Sequence, residues 1–343
     1  MPNKIKNCFA ENLTFEKMIL AHERAKQGKL NRYEVLNFDL SLESNIVNLV
    51  ENIRNNRYKM GAYRSFTVYE PKERVIKALP YVDRVVHQWY VEEFIKKYIV
   101  PKFITDTYAC ICGRGTHKAV DCMQKYMRMA QRNYGKAYYV LKMDIKKFFY
   151  SIDHEVLLEI MGEHINDKKL LRFTKLLIDS DNETVGIPIG NYTSQFFANI
   201  YLDKLDKFVK QKLRIKFYVR YMDDFILLVK NKEEASELYL IIKRFLNEVL
   251  KLTLNSKSRY YPNEFGADFC GYRIWSTHRL IRKGSKNKIK KNVSKWNDLY
   301  DNGKLSRKDF ILSFNSWIGH VKHANSYTLQ NKIRDSIKFF DNV

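Results

Sequence analysis

In the tetrapeptide Tyr221-Met222-Asp223-Asp224, the last three residues lie between two runs of β-favouring residues, 215–221 and 225–229. Two such runs joined by so few residues predict a β-hairpin. A two-residue hairpin turn usually contains Asn-Gly or Asp-Gly, whereas this one carries two adjacent acids. Neighbouring carboxylates repel each other, and the repulsion falls when a hard cation binds between them. The pattern predicts an antiparallel sheet with a metal-binding edge; taken alone, a solvated loop would also account for these acids.

A third acid, Asp144, follows the short apolar run 137–143, which is typical of a buried strand. Taken alone, Asp144 could equally cap a helix. If the three strands lie side by side in one sheet, Asp144, Asp223 and Asp224 converge. Such a set can hold two Mg²⁺ ions about 3.5–4 Å apart, which act on the attacking and leaving oxygens of a phosphoryl transfer. We therefore expect a two-metal site for phosphoryl transfer.

The remaining pattern predicts an α+β chain. Helices are expected over about 14–55, 81–99 and 115–133, with a hairpin over 62–79 around Glu70-Pro71-Lys72-Glu73. Further helices are expected at 154–163, 167–178, 193–210 and 232–249, and Asp153 is interpreted as a helix N-cap. The order strand, helices, hairpin, helix, strand predicts a split βαβ sheet, and 284–335 a helical unit.

The charge of the chain indicates its class of partner. A formal net charge of +23, from 61 Lys and Arg against 38 Asp and Glu, predicts a polyanion. No basic amphipathic helix stands apart and no apolar run has the length of a membrane span, so a membrane partner is not expected. Cys110, Cys112, His117 and Cys122 lack the usual zinc-knuckle spacing. Five unpaired-looking cysteines indicate a reducing compartment, and we expect a cytoplasmic protein.

These motifs together resemble those of reverse transcriptases. The segments MDIKKFF, from Met143, and YMDD are similar to the two metal-binding motifs of that family, and GIPIGNYTSQ, residues 186–195, to the motif between them. The similarity covers roughly residues 60–335. It implies a right-hand polymerase with a ferredoxin-like palm and a helical thumb. The expected divisions are an N-terminal helical extension over 1–60, fingers over 61–136, palm over 137–283 and thumb over 284–343.

The resemblance also implies roles for individual residues. Ile145 would join the three aspartates at the metals, and Lys257 would act on the leaving pyrophosphate. A bulky Phe149 would exclude ribonucleotides, and FCGY would be the primer grip. The residues expected to bind the incoming nucleotide are Arg74, Phe149, Ile189, Gly190 and Gln195. The primer grip consists of Phe269, Cys270, Gly271 and Tyr272. The nucleic-acid backbone would be bound by Arg282, Lys283, Lys286, Lys288, Lys290 and Lys291.

Each of these roles has a plain alternative. Arg74 and Lys257 would otherwise be solvated surface cations, Phe149 and Ile189 would be core residues, and a run of lysines is often only a solvated helix face. The fork of donors on an Arg suits phosphate oxygens, and a Lys can protonate or stabilise a leaving group.

Two departures from the common third motif indicate which subgroup of reverse transcriptases this chain resembles. The common third motif reads Pro-Gln-Gly and often ends Ser-Pro, whereas this chain has Ile189 and Gln195 at those points. IGNYTSQ and FYVRYMDDFILL resemble enzymes of diversity-generating retroelements. That resemblance implies copying of a template-repeat RNA into cDNA with errors at adenines for mutagenic retrohoming. It also implies a small basic oligomeric accessory protein, besides template RNA, primer and dNTPs. Retron-type or antiphage-defence reverse transcriptases, and an inactive RNA-binding scaffold, remain alternatives.

Overall fold

The computed structural model of the chain describes residues 4–69, 72–181 and 183–340. The chain divides into two compact units. The first consists of Met1–Thr105, Ile145–Arg214 and Ile241–Ser256. The second consists of Asp106–Asp144, Ile215–Leu240 and Lys257–Val343. The predicted boundaries of fingers, palm and thumb follow a different criterion and stay predictions.

The helices occur close to where the sequence predicts them, and side-chain caps explain several of their starts. In chain order they are α1 Phe9–Asn12, α2 Phe15–Ala25, α3 Tyr33–Asp39, α4 Leu42–Arg54, α5 Tyr81–Tyr90, α6 Thr116–Tyr134, α7 His154–His164, α8 Lys168–Ile178, α9 Tyr192–Lys207, α10 Lys232–Glu248, α11 Lys283–Asp301, α12 Arg307–Val321 and α13 Tyr327–Asp335. Asp153 caps α7 by accepting a hydrogen bond from Val156 N at 3.0 Å, as predicted. Two helices continue as π-helix, α5 through Val91–Ile99 and α9 through Phe208–Lys212.

Every strand pair in the three named sheets is antiparallel. The strands are β1 Arg64–Val68, β2 Arg74–Ala78, β3 Tyr139–Asp144, β4 Tyr218–Tyr221, β5 Asp224–Val229, β6 Arg259–Pro262, β7 Ala267–Phe269, β8 Tyr272–Ile274 and β9 Arg279–Ile281. They form a β1-β2 hairpin, a four-stranded sheet in the order β4-β5-β3-β6, and a three-stranded sheet β7-β8-β9. The first hairpin is the one predicted over 62–79; Glu70 and Pro71 of its turn lie outside the described residues.

The four-stranded sheet has the predicted split βαβ connection of strand, helices, hairpin, helix and strand. One of its faces packs in the hydrophobic core of the second unit, where Val140, Ile226 and Leu228 meet α6 and the three-stranded sheet. Because side chains alternate along a strand, Lys142 and Asp144 lie on the same face as Val140. The polar end of β3 thus emerges at the edge of a well-packed apolar layer.

The last three helices surround a separate cluster of apolar side chains, as expected for a helical unit. Its buried members include Ile289, Val293, Trp296 and Phe310. On α11 these apolar positions leave the lysines for solvent. No helix in the described ranges is long and apolar enough to cross a membrane.

Candidate active site

The turn between β4 and β5 is shorter than the sequence indicates. Tyr221 pairs with Asp224, so only Met222 and Asp223 form the loop, and Asp224 is the first residue of a strand. Met222 has a φ of 57°, in the left-handed region that an L-residue with a side chain adopts at a cost of about 1–2 kcal/mol. The turn therefore keeps a strained conformation and presents an acid at its second position.

Asp144 and Asp224 are directly opposite each other on paired strands. They are Cα partners in the β3–β5 ladder, so their side chains leave the same face of the sheet. Ser258 fixes the backbone of Asp144 from the other side. Asp144 N donates to Ser258 Oγ at 3.0 Å, and Ser258 Oγ donates to Asp144 O at 3.2 Å. The predicted convergence of Asp144 with the hairpin acids is thus present in the backbone pairing.

The electrostatics of Asp224 reflect this crowding. Burial raises its pKa to about 6, the Lys142 ammonium opposes that rise, and the charges of Asp144 and Asp223 add to it. Lys142 Nζ lies 3.2 Å from Asp224 Oδ2. The other oxygen, Asp224 Oδ1, is buried and has no hydrogen-bond partner among the residues that the structure describes. The site therefore contains an acceptor that is available to a further cation.

The donor set fits a hard divalent cation in kind. Carboxylate oxygens are the ligands that Mg²⁺ prefers, and a buried carboxylate oxygen without a donor is stabilised by such an ion. The side chains as placed are not gathered around one point. Within residues 4–69, 72–181 and 183–340, no three His, Cys, Asp or Glu side chains are close enough to hold a metal ion. The backbone placement and the chemistry of the acids are what support metal binding.

A buried arginine supports the strained turn, and sequence reasoning missed it. Arg220 is 0% exposed. Its Nη1 donates to the carbonyl of Met222 at 3.0 Å and its Nη2 to Thr107 Oγ1 at 3.4 Å. The same residue anchors the strand edge, because Arg220 N donates to Asp106 O at 2.9 Å. A cation beside the YMDD tetrapeptide was the only signal for it, and exposed arginines look the same in a sequence.

The predicted primer grip is a second tight hairpin in the same unit. Phe269 pairs with Tyr272, and both side chains are buried in the core. The two loop residues, Cys270 and Gly271, have φ values of 48° and 89°. Positive φ at both positions is the pattern of a type I′ turn, which glycine favours. A Cβ at Gly271 would lie 3.3 Å from Cε1 of His320, so α12 packs closely on this turn.

The predicted nucleotide-binding residues belong to the first unit, where Gly190 and Ile189 contact β2. The carbonyl of Ile189 accepts from Lys77 N at 2.9 Å, and a Cβ at Gly190 would lie 2.5 Å from Lys77 O. Gly190 also has a φ of 132°. Only glycine fits there, so this motif packs closely on the β1-β2 hairpin. Ile189 is half-buried rather than a core residue.

Of the other predicted residues of the first unit, two are exposed, one is half-buried and one is buried. Arg74 is exposed at the start of β2, and Gln195 is exposed on α9. Phe149 is half-buried in a 3₁₀ turn against Phe148, with ring centroids 5.7 Å apart. Ile145 is buried directly after Asp144. Their roles at the nucleotide and the metals stay predictions.

The predicted cations of the second unit are also accessible. Lys257 is exposed and directly precedes Ser258, the residue that holds Asp144. On α11, Lys283, Lys288, Lys290 and Lys291 are exposed and Lys286 is half-buried. Arg282 forms an ion pair with Asp268. The helix thus carries a basic solvent face, and Arg282 at its N-cap forms an intramolecular ion pair.

Comparison with known proteins decides the family. Residues 69–274 match the model of the reverse transcriptase (RNA-dependent DNA polymerase) family, a stretch that includes all three aspartates and both hairpin turns. The chain belongs to the reverse transcriptase family. The predicted α+β polymerase fold class is thereby confirmed.

Relatives in the family are distant and longer. The group II intron-encoded protein LtrA of Lactococcus lactis is 23% identical, with 71% of this chain and 51% of LtrA covered. The putative COX1/OXI3 intron 2 protein of Saccharomyces cerevisiae is 26% identical, with 42% of this chain and 25% of that protein covered. Among solved structures, a telomerase from Candida albicans in complex with a fragment of telomeric RNA has a TM-score of 0.49 at 12% identity. The match covers 70% of this chain and 51% of the telomerase chain. The chain thus spans about half or less of the length of these proteins.

Proposed function

We propose that this chain is an RNA-directed DNA polymerase. The observation that carries the proposal is the direct pairing of Asp144 with Asp224 beside the turn that holds Asp223. Asp144, Asp223, Asp224 and the Ile145 carbonyl would hold two Mg²⁺ ions. Such ions, when bound, activate the primer hydroxyl and neutralise charge on the triphosphate.

The side chains of the chain have the remaining tasks. Arg74 would bind phosphate oxygens of the incoming dNTP through its planar donors, and Gly190 and Gln195 would contact the nascent pair. Phe149 would exclude a 2′-hydroxyl by its bulk. Lys257 would stabilise the leaving pyrophosphate. The turn at Cys270 and Gly271 would hold the primer end.

The duplex would lie along the basic face of α11. Lys283, Lys288, Lys290 and Lys291 are exposed there, and lysines bind phosphates without regard to sequence. We expect binding of template RNA and primer to weaken steeply as salt rises. Binding should persist when the metal-binding aspartates are replaced, because the two groups of residues are different.

The test is primer extension on a primed homopolymer RNA with Mg²⁺ and the complementary dNTP. Asp223→Asn should abolish extension and leave duplex binding and folding intact, because the amide keeps the shape but not the charge. Asp298→Asn, an exposed acid on α11, is the matched control and should extend normally. Extension by Asp223→Asn at the wild-type rate would refute the proposal.

We propose further that the RNA copied is a template repeat of a diversity-generating retroelement, with errors at adenines. The support is the IGNYTSQ motif and the half-buried Ile189, whose side chain replaces the polar amide of the common motif. Loss of one hydrogen bond, on the order of 0.5–1.5 kcal/mol, would weaken discrimination by about tenfold or less. A small basic oligomeric accessory protein and a cytoplasmic location belong to the same proposal.

Sequencing of cDNA from one RNA template tests this assignment. Wild-type products should show an excess of errors opposite adenines, and Ile189→Gln should reduce the overall error rate. An even error spectrum in the wild-type product would contradict the retroelement assignment and favour a retron-type or defence enzyme. Identical spectra from the two proteins would remove the role of Ile189 alone.

A further inference from the structure

Lys142 occupies an unusual position for a lysine, in the middle of a paired strand. Its Cα partners are Ile226 on β5 and Arg259 on β6, so β3 is hydrogen-bonded on both sides here. Its side chain is only 20% exposed and lies on the same face as Asp144. A long cation at such a place is costly to desolvate unless acceptors surround it.

Two acceptors meet its ammonium group. Lys142 Nζ donates to Asp224 Oδ2 at 3.2 Å, and it also donates to the backbone carbonyl of Asp268 in β7. The first belongs to the catalytic hairpin. The second lies two residues before Cys270, the first residue of the primer-grip turn. One side chain therefore joins the two hairpins.

The chain of contacts continues to the base of the helical unit. The Asp268 carboxylate pairs with the guanidinium of Arg282, and Arg282 N donates to Gly271 O at 3.0 Å. The backbone of the primer-grip turn is thus held at Asp268 by Lys142 and at Gly271 by Arg282. The Lys142 contact connects this turn to Asp224, one of the proposed metal-binding carboxylates.

We propose that Lys142 is a positioning residue that sets the primer terminus relative to the catalytic carboxylates. The proposal rests on the polymerase function proposed above. Its ammonium links Asp224 to the primer-grip strand, so the two hairpins move as one body. Small errors in the placement of reacting groups cost large factors in rate, which is why a polar tether between the hairpins matters.

The variants are Lys142→Met, which keeps the length of the side chain without its charge, and Lys142→Arg, which keeps the charge. Lys125→Met, at an exposed position on α6, is the control for loss of a positive charge. With saturating Mg²⁺ and dNTP, Lys142→Met should incorporate one nucleotide about 10- to 100-fold more slowly, the factor expected for one lost charge-assisted hydrogen bond. Lys142→Arg should recover most of the rate.

Two further readouts separate positioning from a structural role. The Kd for the primer–template duplex should stay within about twofold, because phosphate contacts dominate affinity. A 2-aminopurine base at the primer 3′ end should fluoresce more in the Lys142→Met complex than in wild type, without metal or dNTP, because the terminus is held less tightly.

Several outcomes would overturn the inference. A wild-type rate for Lys142→Met would do so, as would a loss of rate that parallels a loss of duplex affinity or a lowered Tm. Unchanged 2-aminopurine fluorescence, or an Arg variant as slow as the Met variant, would also contradict it. If wild-type protein extends primers and Lys142→Met matches it, only this inference fails. If wild-type protein does not extend primers, the proposed function fails with it.

Discussion

The two tight turns of the second unit solve the same geometric problem with different residues. The proposed primer-grip turn has Cys270 and Gly271 at its two positive-φ positions, and its flanking residues Phe269 and Tyr272 are buried. The proposed catalytic turn has Met222 at positive φ and the acidic Asp223 beside it. The first follows the preference of hairpins for glycine, and the second does not.

We infer that the Met222-Asp223 turn has a less stable backbone conformation because it places an acid at the proposed metal site. The primer-grip turn has a glycine at one of its two positive-φ positions, which lowers the strain that contacts from elsewhere must balance. The catalytic turn depends on support from elsewhere, chiefly the buried Arg220 that donates to the Met222 carbonyl. Strained backbone persists where surrounding contacts over-determine it, and such places are commonly active sites. Four substitutions test this contrast.

The largest effect is expected at the support of the catalytic turn. Arg220→Met removes a fully buried cation together with the hydrogen bonds that it donates to the carbonyl of Met222 and the hydroxyl of Thr107. We expect a loss of about 3–5 kcal/mol in the free energy of unfolding, measured by urea denaturation, because two hydrogen bonds from a charged donor are lost in the core. Arg132→Met, an exposed position on α6, is the control. A loss below 1 kcal/mol, on the order of an exposed substitution, would show that the turn holds itself.

A smaller effect with the opposite sign is expected at Asp224. Its pKa is raised to about 6 in the folded protein from 3.8. The folded state therefore binds the proton more tightly, and stability from this group is present at low pH and lost as pH rises through about 4 to 6. Without divalent ions, the free energy of unfolding of Asp224→Asn should exceed that of wild type by about 1–3 kcal/mol at neutral pH.

The pH profile separates this effect from others. The advantage of Asp224→Asn should shrink as pH falls below about 5, and Asp298→Asn should match wild type throughout. Equal stability of Asp224→Asn and wild type at every pH would mean that the acid is not strained by its surroundings.

The smallest effects compare the turns directly. Gly271→Ala puts a Cβ into a φ of 89° and 3.3 Å from His320 Cε1, so it should destabilise by about 1–2 kcal/mol. Met222→Gly relieves a left-handed residue and should be neutral or stabilising by up to about 1 kcal/mol. A lower Tm for Gly271→Ala and an unchanged or higher Tm for Met222→Gly would support the contrast between the turns. Equal decreases of Tm in both variants would contradict it.

The local pattern predicted the strands and hairpins well because alternation and turn residues are encoded within a few positions. The run 137–143 became β3, and Asp144 proved to be a strand residue rather than a helix cap. The length of the turn could not be predicted from the sequence. Asp224 could belong to the loop or to the strand until its pairing with Tyr221 and Asp144 was known.

What the sequence could not provide is the set of long-range contacts. The burial of Arg220 depends on Thr107, more than a hundred positions away, and the task of Lys142 depends on Asp268. Strand alternation does place Lys142 on the face of Asp144, and that signal could have singled it out. The close approach of Gly190 to Lys77 likewise depends on the packing of residues 186–195 against strand β2, which the sequence does not show.

The central claim is that Asp144, Asp223 and Asp224 act as one polymerising centre, and their combined substitution tests it most directly. The measurement is the single-nucleotide incorporation rate on primed RNA for Asp144→Asn, Asp224→Asn and the double variant. Groups that act as a unit are strongly non-additive. Each single variant should therefore lose about as much rate as the double variant, at least about a thousandfold. Losses that multiply in the double variant, or a single variant that keeps a tenth of the wild-type rate, would contradict the account.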